Sequence, residues 1–268
     1  MKNLIYQYWD GKILPGVKAG SENMKRYADR IGVEYLFEHN PRFVTNLGGY
    51  SPHYGSFKPI YNQYFHKYDN ILFADTDVFA IENLEESIFE DFNVEIGICT
   101  EPFQPKQRQK IPGILTSASD ERWAGVMKSK WNVEMPRTPE GLLKVYNSGV
   151  VLYSKKGLLK AKETFVPFKE YVDLIRSKKF TSFYTCDQPY LHAMLQVAKI
   201  KYVELDNGWN SYIHPYYADI NKKILKINDS RTKDTKFVHI QLRGADHWDA
   251  DTHWRITNLP MSEWKIKT

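Results

Sequence analysis

Asp75-Thr76-Asp77 places two carboxylates one residue apart in the chain. Ile71-Leu72-Phe73-Ala74 runs into the triplet, and Val78-Phe79 follows it. This pattern reads as a short buried strand that delivers two acids to its carboxyl end, where open α/β sheets place their ligands. Two carboxylates so held can bind a hard divalent cation, and the cation can bind phosphates. The competing reading is an acidic surface turn, because a three-residue motif recurs by chance. The chain supplies such a recurrence in Asp249-Ala250-Asp251, which has no apolar strand before it.

The elements that would position these acids follow from pattern. Asn3 to Tyr8 and Val33 to Phe37 read as strands, with a helix from Glu22 to Ile31 between them, N-capped by Ser21 after a loop over Lys12 to Gly20. This β–α–β order points to a parallel sheet covered by helices. Phe57, Ile60, Tyr61, Tyr64, Phe65 and Tyr68 fall on one helical stripe, which predicts a single helix over Ser56 to Tyr68. A short helix is expected over Asn83 to Phe89, and a strand over Glu95 to Cys99. A polar loop is expected over Glu101 to Gly113 and a helix over Ser119 to Lys130. Asn147 to Ser154 reads as a turn and strand, followed by two helical segments broken at Pro167. Asp187 is expected to N-cap a helix with Pro189 in its first turn. Ile200 to Leu205 and Phe237 to Ile240 read as strands, Trp209 to Tyr217 as an aromatic loop, and the tail from Gln241 as irregular. One α/β domain spanning residues 1–268 is the simplest reading.

Composition narrows the function classes. The chain has 268 residues, 42% hydrophobic and 26% charged, with a formal charge of +5 that favours anionic partners. No basic run or zinc-finger pattern supports a nucleic-acid partner. Two distant cysteines, Cys99 and Cys186, support neither a disulfide framework nor a zinc site. The sequence has no apolar stretch long enough for a transmembrane segment and no signal-peptide pattern, so a soluble cytoplasmic protein is expected. Aromatics make up 15% of the chain. They either line a sugar or base site or pack the core. Phosphatases of the haloacid dehalogenase type also carry Asp-x-Asp after an apolar strand. They use the strand nearest the N-terminus, and here Asn3 to Tyr8 takes that place.

Four blocks, ILFADTDVF, YNSGVVLYS, CDQPYLHAML and FVHIQLRGADHW, occur in that order. Together they resemble the core blocks of nucleotide-sugar glycosyltransferases of the GT-A fold, most closely family 8, the glycogenin and bacterial galactosyltransferase group. The resemblance implies an α/β, Rossmann-like, mixed but mostly parallel sheet flanked by helices. It implies transfer of a sugar from a nucleotide-sugar donor, UDP-sugar favoured, to a glycan or other hydroxyl acceptor, with Mn²⁺ or Mg²⁺ as cofactor. Asp75, Asp77 and His239 would hold the metal. Asp187 and Gln188 would face the sugar as the catalytic pair. Asn147, Ser148 and Gly149 would lie beside the donor sugar. Lys58 stands where the family usually has Arg, and lacks its bidentate fork. The late block departs from the family's spacing: His239 is followed by Gly244 and then His247, with Arg243 and His247 as candidates for the phosphates. Gln7, Tyr8 and Trp9 would meet the base. Two other classes fit the same residues: a metal-dependent nucleotide-sugar hydrolase or nucleotidyltransferase, and a glycan-binding module without chemistry.

Overall fold

The computed structural model describes residues 1–110, 115–219 and 224–264. In chain order the strands and helices begin with β1 (Asn3–Trp9), α1 (Pro15–Arg30) and β2 (Glu34–His39). A 3-10 turn (Ser51–Phe57), α2 (Lys58–Tyr61) and a second 3-10 turn (Gln63–Lys67) lead to β3 (Asn70–Ala74) and β4 (Val78–Ala80). Then come β5 (Ile96–Thr100), α3 (Gln104–Lys110), α4 (Ser117–Trp131), β6 (Tyr146–Ser154), α5 (Lys155–Thr164), α6 (Phe168–Ser177) and α7 (Asp187–Val197). The chain closes with β7 (Tyr202–Glu204), β8 (Ser211–Asp219), β9 (Ile224–Asp229), β10 (Phe237–Ile240) and α8 (Ala250–Asn258).

The strands form two sheets. The larger has the order β2-β1-β3-β6-β5-β7. It is parallel at β1–β2, β1–β3 and β5–β7, and antiparallel on both sides of β6. Five strands therefore run one way and β6 runs back. The carboxyl ends of β1, β3 and β5 meet at one edge, where β6 begins. The smaller sheet, β4-β10-β8-β9, has no counterpart in the sequence reading.

Alternation along the large sheet explains its two covered faces. Leu4, Tyr6, Ile71, Phe73, Ile96, Ile98, Val151 and Tyr153 face one core, built with Leu158, Tyr171, Ile175, Tyr190 and Met194 of α5, α6 and α7. Ile5, Leu72, Ala74, Val150 and Leu152 face a second core with Met24, Tyr27 and Ala28 of α1. Ala19 of α1 reaches a third core, against Phe79, Ile213, Val238 and Ile240 of the small sheet. One helix thus ties the two sheets together.

Several expectations are corrected. Helix α1 begins at Pro15, not Glu22, with Leu14 at the N-cap and Pro15 in the first turn, where its missing N–H costs nothing. Ser21 lies inside the helix, its hydroxyl donating to Lys18 O. Gly16 and Gly20, which read as loop residues, are contact glycines. A Cβ on Gly20 would lie 1.8 Å from Thr76 O, and one on Gly16 would lie 2.5 Å from Ala245 O. The predicted single helix before β3 is broken at Asn62, whose backbone is extended and whose side chain accepts from Tyr64 N. Phe57, Ile60, Phe65 and Tyr68 still face the core across the break and Tyr61 is half-buried, whereas Tyr64 turns out to solvent. Asn83 to Phe89 is not helical, and Asn83 takes a left-handed backbone (φ 59°). The expected polar loop after β5 contains α3, while part of it, residues 111–114, lies outside the described residues. The aromatic stretch from Trp209 is a 3-10 turn running into β8, with 217 carrying a backbone pairing to β9. The tail is not irregular, since it forms α8.

The aromatic excess is mostly core. Tyr54, Phe57, Phe168, Tyr171 and Tyr190 pack ring on ring with centroids 4.8 to 5.8 Å apart. Two of the buried tyrosines in this cluster have satisfied hydroxyls: Tyr54 donates to Thr185 O at 3.0 Å and Tyr171 to Tyr184 O at 3.0 Å. Both bonds brace the chain that enters α7.

Candidate metal and sugar site

β3 ends at Ala74 in the large sheet, and β4 begins at Val78 in the small one. Asp75-Thr76-Asp77 is the crossing between them. β3 is buried along its whole length, which fixes where the crossing starts. Gln7 Nε2 donates to Asp75 O at 2.9 Å, and Asp75 N donates to Gly149 O at 2.8 Å. On the far side, Ile240 N donates to Asp77 O at 2.9 Å. β4 pairs antiparallel with β10, and that register sets His239 opposite Val78. The imidazole therefore arrives beside the crossing from some 160 residues further along the chain.

One ligand atom from each of Asp75, Asp77 and His239 lies within 4.8 Å of the others. His239 Nε2 stands 3.1 Å from Asp77 Oδ1, and the Asp77 side chain remains 37% exposed while His239 is buried. Gly149 keeps the space open: a Cβ there would lie 2.6 Å from His239 Cε1 and 2.8 Å from Asp75 Oδ2. Its place follows from a break in the β5–β6 ladder. The register jumps from Ile98 opposite Val151 to Cys99 opposite Asn147, which frees Ser148 to Val150 from β5.

The electrostatics are those of a site short of positive charge. Burial, then the Asp77 carboxylate and Asp187, push the Asp75 carboxyl up to about 8, with His239 opposing them. Burial would also raise Asp77, yet the charge and hydrogen bond of His239 hold it below the usual carboxylate range. Burial would depress His239, and Asp77 with Asp75 raises it instead. A divalent cation would relieve all three conflicts at once. The donor set, two carboxylates and an imidazole, fits a borderline ion such as Mn²⁺ better than one that prefers oxygen alone.

Asp187 opens α7 as its first residue, and Cys186, not Asp187, occupies the N-cap. Its side chain is 11% exposed and lies 4.0 Å from His53 Nδ1. Burial raises its carboxyl, against His53 and a hydrogen bond from Ser148. Gln188 Nε2 donates to Glu101 Oε1 at 3.3 Å. Glu101 follows β5 as Asp75 follows β3, and it also accepts from Asn147 Nδ2 at 2.8 Å. Gly149 thus lies against Asp75 and His239, Asp187 is within electrostatic reach of Asp75, and Asn147 and Gln188 meet at Glu101.

The remaining sequence candidates are placed differently. Gln7 is fully buried, and its amide is used up by Asp75 O and by Tyr35 OH at 2.9 Å. It supports the crossing from below. Tyr8 donates to Pro52 O at 2.8 Å, and Trp9 Nε1 to Lys12 O at 3.0 Å; both rings are half-buried at the end of β1. Lys58 is held by Glu38 at 2.7 and 2.8 Å, so its charge is already paired. Arg243, Gly244 and His247 are exposed just beyond β10, with Gly244 left-handed (φ 82°) before a 3-10 turn.

Sequence reasoning passed over Glu101, Asn210 and Gly20. Glu101 carried a usable signal, an acid at the carboxyl end of a strand parallel to β3. Asn210 sat inside an aromatic stretch that read as loop, and nothing in its neighbours marked it.

The two-sheet core and the crossing at β3–β4 define a mixed α/β architecture of the GT-A type. No protein-family model matches the sequence, and no curated protein matches it. Solved structures do. Galactosyltransferase LgtC, in complex with donor and acceptor sugar analogs, is 14% identical and has a TM-score of 0.51, covering 97% of this chain and 98% of that one. An active-site mutant of LgtC matches at 15% identity and a TM-score of 0.50 over the same shares. A glycosyltransferase involved in the glycosylation of the major capsid of PBCV-1 is 14% identical, with a TM-score of 0.47, over 96% of this chain and 98% of that one. The LgtC likeness establishes the fold. Among the described residues no helix is long and apolar enough to cross a membrane.

Proposed function

We propose that the protein is a metal-dependent glycosyltransferase that moves a sugar from a nucleoside diphosphate sugar, UDP-sugar favoured, to a hydroxyl of a glycan or similar acceptor. The observation that carries this reading is the meeting of Asp75, Asp77 and His239 at the strand edge of a GT-A fold, with Asp187 and Gln188 beside them. The ion is Mn²⁺ by donor chemistry, with Mg²⁺ as the weaker fit. When bound it neutralises diphosphate charge and so stabilises the leaving nucleoside diphosphate.

The chain's own groups do the rest. Asp75 and Asp77 hold the ion from the crossing and His239 from β10. Gly149 leaves room beside them, Glu101 accepts from both Asn147 and Gln188, and Ser148 hydrogen-bonds to Asp187. Asp187 and Gln188 face the sugar in this reading, and Asp187 is the carboxylate assigned to the acceptor proton if the reaction inverts; if it retains, the leaving phosphate takes that proton. Tyr8 and Trp9 offer ring faces at the end of β1 for the base. Arg243 and His247 are exposed donors for the phosphates, whereas Lys58 reaches a donor only by leaving Glu38.

Incubation with UDP- and GDP-sugars and Mn²⁺, with and without acceptor glycans, tests the reading. Release of nucleoside diphosphate that depends on acceptor is expected. Equal release without acceptor would replace transfer by hydrolysis. Calorimetry with UDP and Mn²⁺ separates both from a glycan-binding module, which would show no metal-dependent nucleotide binding.

A further inference from the structure

His239 has two ring nitrogens, and a cation can use only an unprotonated one. Nε2 is the nitrogen that faces Asp77. Nδ1 lies 3.1 Å from Asn210 Oδ1. Asn210 is buried to 1% exposure in the 3-10 turn before β8. Its amide can be oriented two ways, and the two have opposite consequences. With Oδ1 toward the ring, Nδ1 carries the proton and Nε2 keeps its lone pair. With the NH₂ toward the ring, Nδ1 becomes the acceptor and Nε2 is protonated against the cation.

A chain of fixed donors decides between them. Gly149 N–H donates to Asn147 Oδ1 at 2.8 Å, and a backbone N–H has no other role. Glu101, as a carboxylate, accepts only, and Asn147 Nδ2 donates to it at 2.8 Å. Asn147 is therefore held with its oxygen toward Asn210. Asn210 Nδ2 must donate to that oxygen, at 3.1 Å, and it also donates to Tyr212 OH at 2.8 Å. Oδ1 of Asn210 is what remains for His239. Every group in the chain is buried, so water does not compete for these bonds.

We propose that Asn210 is the positioning residue of the metal site, oriented by Asn147 so that Nδ1 of His239 keeps its proton and Nε2 is committed to the cation. The inference rests on the metal site proposed above. Second partners of this kind are worth about 10- to 100-fold in metal affinity.

The test is Mn²⁺ affinity of the full chain without nucleotide, read from the electron paramagnetic resonance signal of free aqueous Mn²⁺. Asn210→Leu, which leaves Nδ1 without an acceptor, is expected to weaken binding about 10- to 100-fold. Asn210→Asp keeps an acceptor for Nδ1, although its second oxygen then faces Asn147 Oδ1, and is expected to bind Mn²⁺ more tightly than Asn210→Leu. A role in packing alone predicts the reverse order, because a buried charge disturbs the site more than a leucine. Equal weakening in both variants, or unchanged affinity in Asn210→Leu, overturns the proposal. If Asn210→Leu does not fold, Asn147→Ser takes its place. It frees the Asn210 amide to turn and should weaken Mn²⁺ binding, and unchanged affinity there is equally fatal. Failure of the parent protein to bind Mn²⁺ at all would remove the metal site itself, a result distinct from the others.

Discussion

Two Asp-x-Asp triplets in one chain end in different physical states. Asp75-Thr76-Asp77 bridges two sheets, is packed from below by Gly20 and Gln7, and meets an imidazole. Asp249-Ala250-Asp251 begins a surface helix. Asp249 is the N-cap of α8 and accepts from Thr252 N at 2.8 Å, and Asp251 pairs with Arg255 one turn on at 2.8 Å. The second triplet's acids are satisfied by their own helix. In the first triplet Asp77 pairs with His239, while Asp75 is left buried facing the Asp77 carboxylate. The spacing is the same, so the difference lies in what the backbone leaves unpaired.

The largest test of that contrast is paired substitution. Asp77→Ala should lower transfer by about a thousandfold or more, since loss of the ion forfeits several kcal/mol of transition-state stabilisation. Asp251→Ala should leave the rate as it was. Initial rates of nucleoside diphosphate release measure both, and similar losses in the two variants would erase the distinction. Next in size is Gly20→Ala. Its methyl would be driven into Thr76 O, so a loss of roughly 3 kcal/mol is expected, or about 5–10 °C in Tm. A melt unchanged from the parent would show that the crossing is not held from α1.

The acids should also differ in their response to pH. Asp75 is raised to about 8 without an ion and His239 is raised too, so these two groups hold more protons in the folded chain than in the unfolded one as pH climbs to about 8. Below about 6.5 the buried His192, His214 and His253, all held low by burial, act in the opposite sense, so the ion-free protein should lose stability between about 6.5 and 8. Mn²⁺ binding should release protons, tighten by up to about tenfold per unit toward pH 8, and then level off. Asp249 is held below its usual range by the Thr252 N–H and contributes nothing there. Thermal melts with and without Mn²⁺ at several pH values read this directly, and a Mn²⁺ shift constant from pH 5 to 8 would contradict it. The smallest effect is Asp249→Ala, which removes only a helix cap and should lower Tm by about 2–4 °C with activity intact.

The same contrast explains what was legible in the sequence. Ile71 to Ala74 reads as a buried strand because it is apolar on both faces, and β3 is buried on both faces. Four ordered blocks carried the GT-A architecture although overall identity to LgtC is 14%. Elements whose shape depends on distant contacts were not visible. Gly16 and Gly20 look like loop residues until Ala245 and Thr76 are seen against them. The break at Asn62 leaves most of the apolar stripe in the core and turns out only Tyr64, so periodicity does not report it. The small sheet joins β4, β8, β9 and β10 from widely separated segments, and each is too short or too mixed to announce its partner. Asn210 acts through a hydrogen bond to His239, a group far away in sequence, which no local pattern encodes.

The crossing from one sheet to the other also has a consequence for how the protein comes into being. β3 and its neighbours can pair as soon as β6 has been made, but His239 reaches the acids only when β10 docks antiparallel on β4. That contact closes a loop of some 160 residues, the kind of long-range event that comes late and slowly in folding. The proposed site is therefore a record of completed folding. A chain stopped before β10 can own a large sheet and both aspartates, and still lack the imidazole that completes the proposed ion site.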